Sequence, residues 1–210
     1  MQLHPEPSGA HDEDTGGRLH EPLTDSAPRI PGEPGIWIFI LGDMLVFAVL
    51  FGLFLHDRAQ APELFMSSQE LLYQPYGAIN TLLLLTSSVG VVFAIRAIRD
   101  ANKTKASILF ALAMACGLAF CGVKVVEYGE KISAGIVPTS NDFWMYYYVL
   151  TAIHLFHLVL GLLLLGFCLL QSRRDHLSKQ RYQLVEGIGC FWHMVDLLWI
   201  VLFPLLYLVR

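Results

Sequence analysis

The sequence predicts an all-α membrane protein, a bundle of five transmembrane helices, on three observations. First, 55% of the 210 residues are hydrophobic and 15% charged, with a mean hydropathy of +0.53, a balance that soluble domains rarely show. Second, the apolar residues gather in five blocks of about 20 residues or more, each long enough at 1.5 Å per residue to cross roughly 30 Å of hydrocarbon. Third, the connections between blocks are polar, and two of them are strongly basic.

Residues 1–34 precede the first block and contain Pro5, Pro7, Gly16, Gly17, Pro22, Pro28, Pro31 and Pro34 among few large apolar groups. They are expected to be a disordered cytoplasmic tail. Much of the net charge of −4 sits here, in Glu6, Asp12, Glu13, Asp14, Glu21, Asp25 and Glu33. The tail lacks the basic start and apolar run of a secretory signal, so insertion is expected to use an uncleaved internal segment. No basic patch points to nucleic acid.

The membrane domain is expected over 35–210, with spans at about 36–56, 74–95, 106–128, 143–170 and 186–208. The first span is punctuated by Pro34 and Gly35, carries Trp37 near an interface and ends at Asp57-Arg58. Asp43 lies seven residues in, roughly 10 Å along the helix, and so within the hydrocarbon. Residues 57–73 read as a polar connection. Asn80, Thr81, Thr86, Ser87 and Ser88 of the second span are suited to interhelical packing. In the third, Ala111, Ala115 and Ala119 recur every four residues, as do Ala113, Gly117 and Cys121 on an adjoining face, which permits close approach of two neighbours. Lys124 and Glu127, three apart at its outer end, share a face and suit an ion pair or snorkelling to the interface. The fourth span opens on Phe143, Trp144, Tyr146, Tyr147 and Tyr148, then aligns Tyr147, Leu150, His154, His157 and Gly161 on one stripe that should face protein. Cys116, Cys121, Cys168 and Cys190 lie in apolar segments without C-x-x-C spacing and read as packing residues.

The last span carries Glu186, His193 and Asp196, ionisable groups that cost several kcal/mol inside hydrocarbon unless compensated. Loop charges orient the chain. Arg96, Arg99, Lys103, Lys105, Arg173, Arg174, Lys179 and Arg181 share one side with the tail, against Arg58, Lys131 and Arg210 on the other. The positive-inside rule then predicts a cytoplasmic N-terminus and an external, periplasmic C-terminus. In that frame Asp43 and His193 lie at one depth, Asp196 a turn deeper, His157 and His154 nearer the middle, and Glu186 at the cytoplasmic interface. A buried cluster of Asp43 with His193, extended by Asp196, His157 and His154, is expected. Three roles are open to it: a self-satisfying structural network, a proton-linked group, or ligation of a metal or haem. Two histidines on one helix with one opposite make a poor haem site, and His193-x-x-Asp196 alone is too little for a di-metal centre.

The segment WHMVDLLW over 192–199, preceded by Glu186, resembles the last helix of haem-copper oxidase (cytochrome c oxidase) subunit III, W-H-F-V-D-x-x-W. TAIHLFHLVLG over 151–161 resembles that family's paired-histidine helix, and Asp43 in GDMLVF stands where the family usually has a buried glutamate. Asn80-Thr81 and Glu127-Tyr128 match further pairs, so the resemblance covers about 32–210 in order. PGEPGIW over 31–37, VVEYGEK over 125–131 and SNDFWMYY over 140–147 look most like the five-helix branch associated with nitric oxide reductase in denitrifying bacteria. The resemblance implies a bacterial inner-membrane accessory subunit of an electron-transport complex. It would have no haem, copper or iron of its own, would bind phospholipid, and would support the assembly, stability or proton uptake of a catalytic oxidase or reductase subunit. An independent proton or small-solute transporter is the alternative reading; it would need internal repeats or broken helices, and Pro204 is the nearest approach to one.

Overall fold

In the computed structural model, residues 34–174 and 178–209 are described; the expected disordered tail over 1–34 lies outside them except for Pro34. The elements are α1 (Pro34–Gln60), α2 (Pro62–Glu70), α3 (Gln74–Arg99), α4 (Lys103–Ser133), α5 (Asp142–Ser172) and α6 (Lys179–Phe203), the last continued by a π-helical turn, Pro204–Leu208. Five of the helices are long and apolar enough to cross a membrane. Each runs beyond the apolar block that announces it, because the polar flanks continue the helix.

The polar connection expected over 57–73 contains a helix, α2. Pro62 begins that helix, with Glu63 in the first turn where a negative charge suits the helix dipole. Phe65 then buries its ring edge-on against Phe54 and Phe143. Short, well-capped links join the long helices. Between α3 and α4, the N–H of Asn102 donates to the Ala97 carbonyl at 2.8 Å and that of Ala101 to Ile98 at 3.0 Å, a Schellman closure that puts Ala101 at φ +56°. The same Asn102 caps α4 by accepting from the Lys105 N–H. Gly135 ends α4 in the same way at φ +76°. Asn141 caps α5 through the Trp144 N–H.

Helices α3, α4, α5 and α6 form a closed ring, each packing on the next and α6 returning to α3, while α1 lies outside against α5 and α6. This makes α6 the shared neighbour of α1, α3 and α5, and the most buried of the spans. One residue accounts for much of the closure. The indole of Trp192 fills the space that Gly117 of α4 and Gly161 of α5 leave open: a Cβ on Gly117 would stand 3.0 Å from its Cη2, and one on Gly161 2.7 Å from its Cε3. Its Nε1 donates to Ser87 Oγ at 3.1 Å, and Ser87 in turn donates to the Ala113 carbonyl, so the seam through α6, α3 and α4 is polar as well as packed. Of the two small-residue faces on α4, the one with Ala113 and Gly117 is buried and the one with Ala111, Ala115 and Ala119 is exposed. Among the described residues, only the first receives a neighbour.

At the end away from the basic connections, Gln69 of α2 donates to the Leu206 carbonyl at 2.9 Å and Gln74 to that of Tyr207 at 3.1 Å. Helix termini leave carbonyls unpaired, and these two amides take up a pair of them at the π turn.

Candidate functional site

The ionisable residues inside the bundle lie at successive levels along α6. Nearest the end opposite the basic connections is a closed group around Lys124. Its Nζ lies 2.9 Å from Glu127 Oε2 and donates to the Tyr207 hydroxyl at 2.9 Å; Tyr207 donates onward to Glu127 Oε1 at 2.6 Å. The three side chains thus complete a triangle in which both carboxylate oxygens accept. Lys124 is 2% exposed and Glu127 fully buried, with the faces of Tyr147 and Trp199 5.0 and 5.2 Å from the ammonium. A buried ion pair is tolerable only when its remaining hydrogen-bonding capacity is used, and the tyrosines meet that need. Tyr128 bonds Thr151, which donates to the Tyr147 carbonyl and holds the cage in register. The pair expected at an outer interface is therefore an enclosed one. Tyr207, its essential third member, carries no signal in local sequence spacing.

The second level is where expectation and structure part. Asp43 pairs with His157, not with His193: Asp43 Oδ1 lies 3.1 Å from His157 Nε2. The depth estimate aligned Asp43 with His193 but carried no information on helix azimuth, and α1 turns Asp43 toward the α5 stripe. His157 Nδ1 lies 2.8 Å from the Ile153 carbonyl. A carbonyl only accepts, so Nδ1 carries a hydrogen. The contact between Nε2 and the carboxylate then needs one further proton, held by the imidazolium or by the carboxylic acid. Asp43 and His157 together are thus a two-site holder for a single proton.

His154, expected in the same cluster, sits instead between the rings of Phe120 and Trp199, at centroid distances of 5.6 and 5.3 Å. Both its ring nitrogens lack a hydrogen-bond partner among the described residues, as do Asp43 Oδ2, Asp196 Oδ1 and the Asn80 amide. Each such buried group costs about 1–3 kcal/mol.

The third level joins α6 to α3. His193 Nδ1 meets the Ser88 hydroxyl, and Asp196, three residues further along α6, lies within reach of the same hydroxyl. Nδ1–H donating to Ser88 leaves the Ser88 hydrogen free for the Asp196 carboxylate, while Asp196 Oδ1 itself lacks a hydrogen-bond partner among the described residues. The anticipated single cluster is therefore split, with Asp43 and His157 tying α1 to α5, and His193 and Asp196 tying α6 to α3 through Ser88. Ser88 was legible only as one of several small polar residues on its span. Glu186 lies at the basic end and lines a groove with Arg96 and Arg99. Among the described residues no group of three or more His, Cys, Asp or Glu side chains is placed to hold a metal ion.

Five apolar spans, with Lys124, Asp43 and His193 partnered across helices, define a multi-pass membrane protein whose polar residues join its helices to one another. A family model described as cytochrome c oxidase subunit III matches residues 31–209, and the chain belongs to that family. Among its relatives, the cytochrome c oxidase subunit 3 of Bacillus sp. (strain PS3) is 28% identical over 177 residues, covering 83% of this chain and 84% of that protein. The protein of the same name from Prototheca wickerhamii is 30% identical over 186 residues, or 82% of this chain and 67% of the relative. The probable quinol oxidase subunit 3 of Staphylococcus aureus (strain USA300) is 27% identical over 175 residues, covering 83% and 87%.

Proposed function

We propose that the chain is an accessory subunit of a respiratory haem-copper oxidase, supporting the assembly, stability and proton uptake of a catalytic subunit that carries the haem, copper or iron. The observation that carries this reading is the family match across all five spans. Two features support it. The ionisable groups tie helices together, and α1 presents a long apolar face, including Leu41, Leu45, Val49 and Leu53, to its surroundings. A catalytic subunit or phospholipid is the proposed occupant of that surface.

In the same reading the protein lies in a bacterial inner membrane with the basic connections cytoplasmic, and Asp43 with His157 is a proton-holding pair that also anchors α1. The three stretches at 31–37, 125–131 and 140–147 favour a nitric oxide reductase as the specific partner.

The test is recovery from native membranes through an N-terminal tag, under lipid-preserving conditions, with a visible spectrum and oxygen- and nitric-oxide-consumption assays on the product. A co-purifying haem protein active on either gas is the expected result, and the gas identifies the partner. Recovery of the chain without any haem protein would overturn the proposal. Proton movement by the chain alone in vesicles would replace it with the transporter reading.

A further inference from the structure

Two polar residues inside the ring of α3 to α6 are enclosed without being satisfied. Asn80 of α3 and His154 of α5 are both 0% exposed. Among the described residues, neither amide atom of Asn80 and neither ring nitrogen of His154 meets a hydrogen-bonding group.

Both side chains face the interior of the ring. Asn80 belongs to the buried stripe Gly77, Asn80, Leu84 and Ser87, whose spacing of three and four residues puts it on one face of α3. At one end of that stripe a Cβ on Gly77 would stand 2.6 Å from Phe203 Cε2; at the other, Ser87 bonds the Ala113 carbonyl of α4 and the Trp192 indole of α6. His154 lies between the rings of Phe120 of α4 and Trp199 of α6. Three contacts register α3 against α6: Ser88 with His193, Ser87 with Trp192, and Thr81 with Trp199. Asn80 therefore lies within about one residue's rise, ~1.5 Å, of the level of Trp199, the indole on which His154 packs. The two unsatisfied side chains thus reach one level of the ring from two different helices.

Their chemistry narrows what can serve them. An amide offers two N–H donors and a carbonyl acceptor, and a neutral imidazole one donor and one acceptor, so the ligand must both donate and accept. It must carry no net charge: Lys124, within electrostatic reach of His154, is already matched by Glu127, and an ion here would stay uncompensated. It must also be small, because two turns inward along α5 a Cβ on Gly161 would already stand 2.7 Å from Trp192. Water is the smallest molecule that meets all three conditions, and buried water sits on polar groups that a chain leaves unpaired.

We propose that the ring of α3 to α6 encloses an ordered-water site at the level of Trp199, with Asn80 and His154 as its ligands. The water completes the hydrogen bonding of both residues and removes the desolvation cost that each carries alone. The site belongs to the interior of this chain and is independent of the accessory-subunit reading and of the partner's identity.

X-ray radiolytic footprinting of the purified full chain in lipid nanodiscs tests it, because hydroxyl radicals formed from a bound water oxidise the side chains beside it. Phe120, 0% exposed and packed on His154, is the reporter. Phe143 and Phe65, 0% and 1% exposed and packed edge-on against each other, are the matched controls. They belong to the first turn of α5 and to α2, nearer the outer surface, so bulk water would label them before Phe120. Phe120 is expected to be oxidised and the controls spared. Asn80→Leu/His154→Leu should lose the Phe120 label, and His154→Gln, which keeps a donor and an acceptor, should retain it. Oxidation of Phe120 no faster than that of Phe143 and Phe65 in the wild-type chain would overturn the site, whether or not the double variant folds. A label that persists in the folded double variant would overturn the assignment of its ligands.

Discussion

Removing one member of the Lys124 triangle should be among the most damaging single changes to this protein. Lys124→Met leaves Glu127, fully buried, with Tyr207 as its remaining partner in the triangle. At 2.9 Å and an effective dielectric constant of ~20, the lost Coulombic attraction is about 6 kcal/mol. Relief of the ammonium's own desolvation offsets part of it, and breaking buried pairs elsewhere costs about 3–5 kcal/mol. The triple variant Lys124→Met/Glu127→Leu/Tyr207→Phe removes the charges and the hydroxyl that served them, and is expected to lose less than Lys124→Met alone. Stability is read by SDS-induced unfolding of purified protein in mixed micelles, with thermal midpoints from size-exclusion recovery as a second measure. Wild-type stability in Lys124→Met, or a triple variant that falls by the sum of its single changes, would refute the account of a mutually dependent buried group.

Asp43→Asn should lower folded yield and loosen α1, because His157 loses the partner with which it shares a proton; limited proteolysis in the link between α1 and α2 checks this. Nitrogen-15 NMR of labelled histidine should find His157 Nδ1 protonated, and a bare Nδ1 would contradict its bond to the Ile153 carbonyl. Ala101→Gly should raise stability by about 1 kcal/mol, since alanine sits there at positive φ, measurable as a higher unfolding midpoint. Gly161→Ala should destabilise by about 1–3 kcal/mol through overlap with Trp192, whereas Gly42→Ala, with nothing within 4 Å of its Cβ, should stay within about 0.5 kcal/mol of wild type; the same unfolding assay compares them.

The five spans were legible because hydrophobic length is a one-dimensional property, and a 20-residue apolar block has few ways to fold in a bilayer. Depth was legible for the same reason: rise per residue places Asp43, His157 and His193 along the membrane normal. Azimuth was not. Which way α1 faces depends on how the ring of α3 to α6 closes, and that closure rests on contacts such as Trp192 against Gly117 and Gly161, fixed by three helices at once. Hence depth alone aligns Asp43 with His193 while azimuth turns it to His157, and His154 meets aromatic rings rather than polar groups. Lys124 and Glu127 could be paired from their spacing alone. Tyr207, a full 83 residues away from Lys124, could not.

That separation also bears on how the chain enters the membrane. At ~5–20 residues per second, synthesis takes roughly 4–17 s to pass from Lys124 to Tyr207, so α4 meets the insertion machinery before its tyrosine partner exists. For that interval the ammonium has the carboxylate and the Tyr128 ring of its own helix. The three-residue spacing lets the two charges enter on one helix as an electrically neutral pair, without waiting for the rest of the bundle. The contact that looks purely architectural in the finished protein is then also a provision for its manufacture. Moving either charge to another helix, even with the final triangle restored, should show first as failed insertion rather than as a weaker fold.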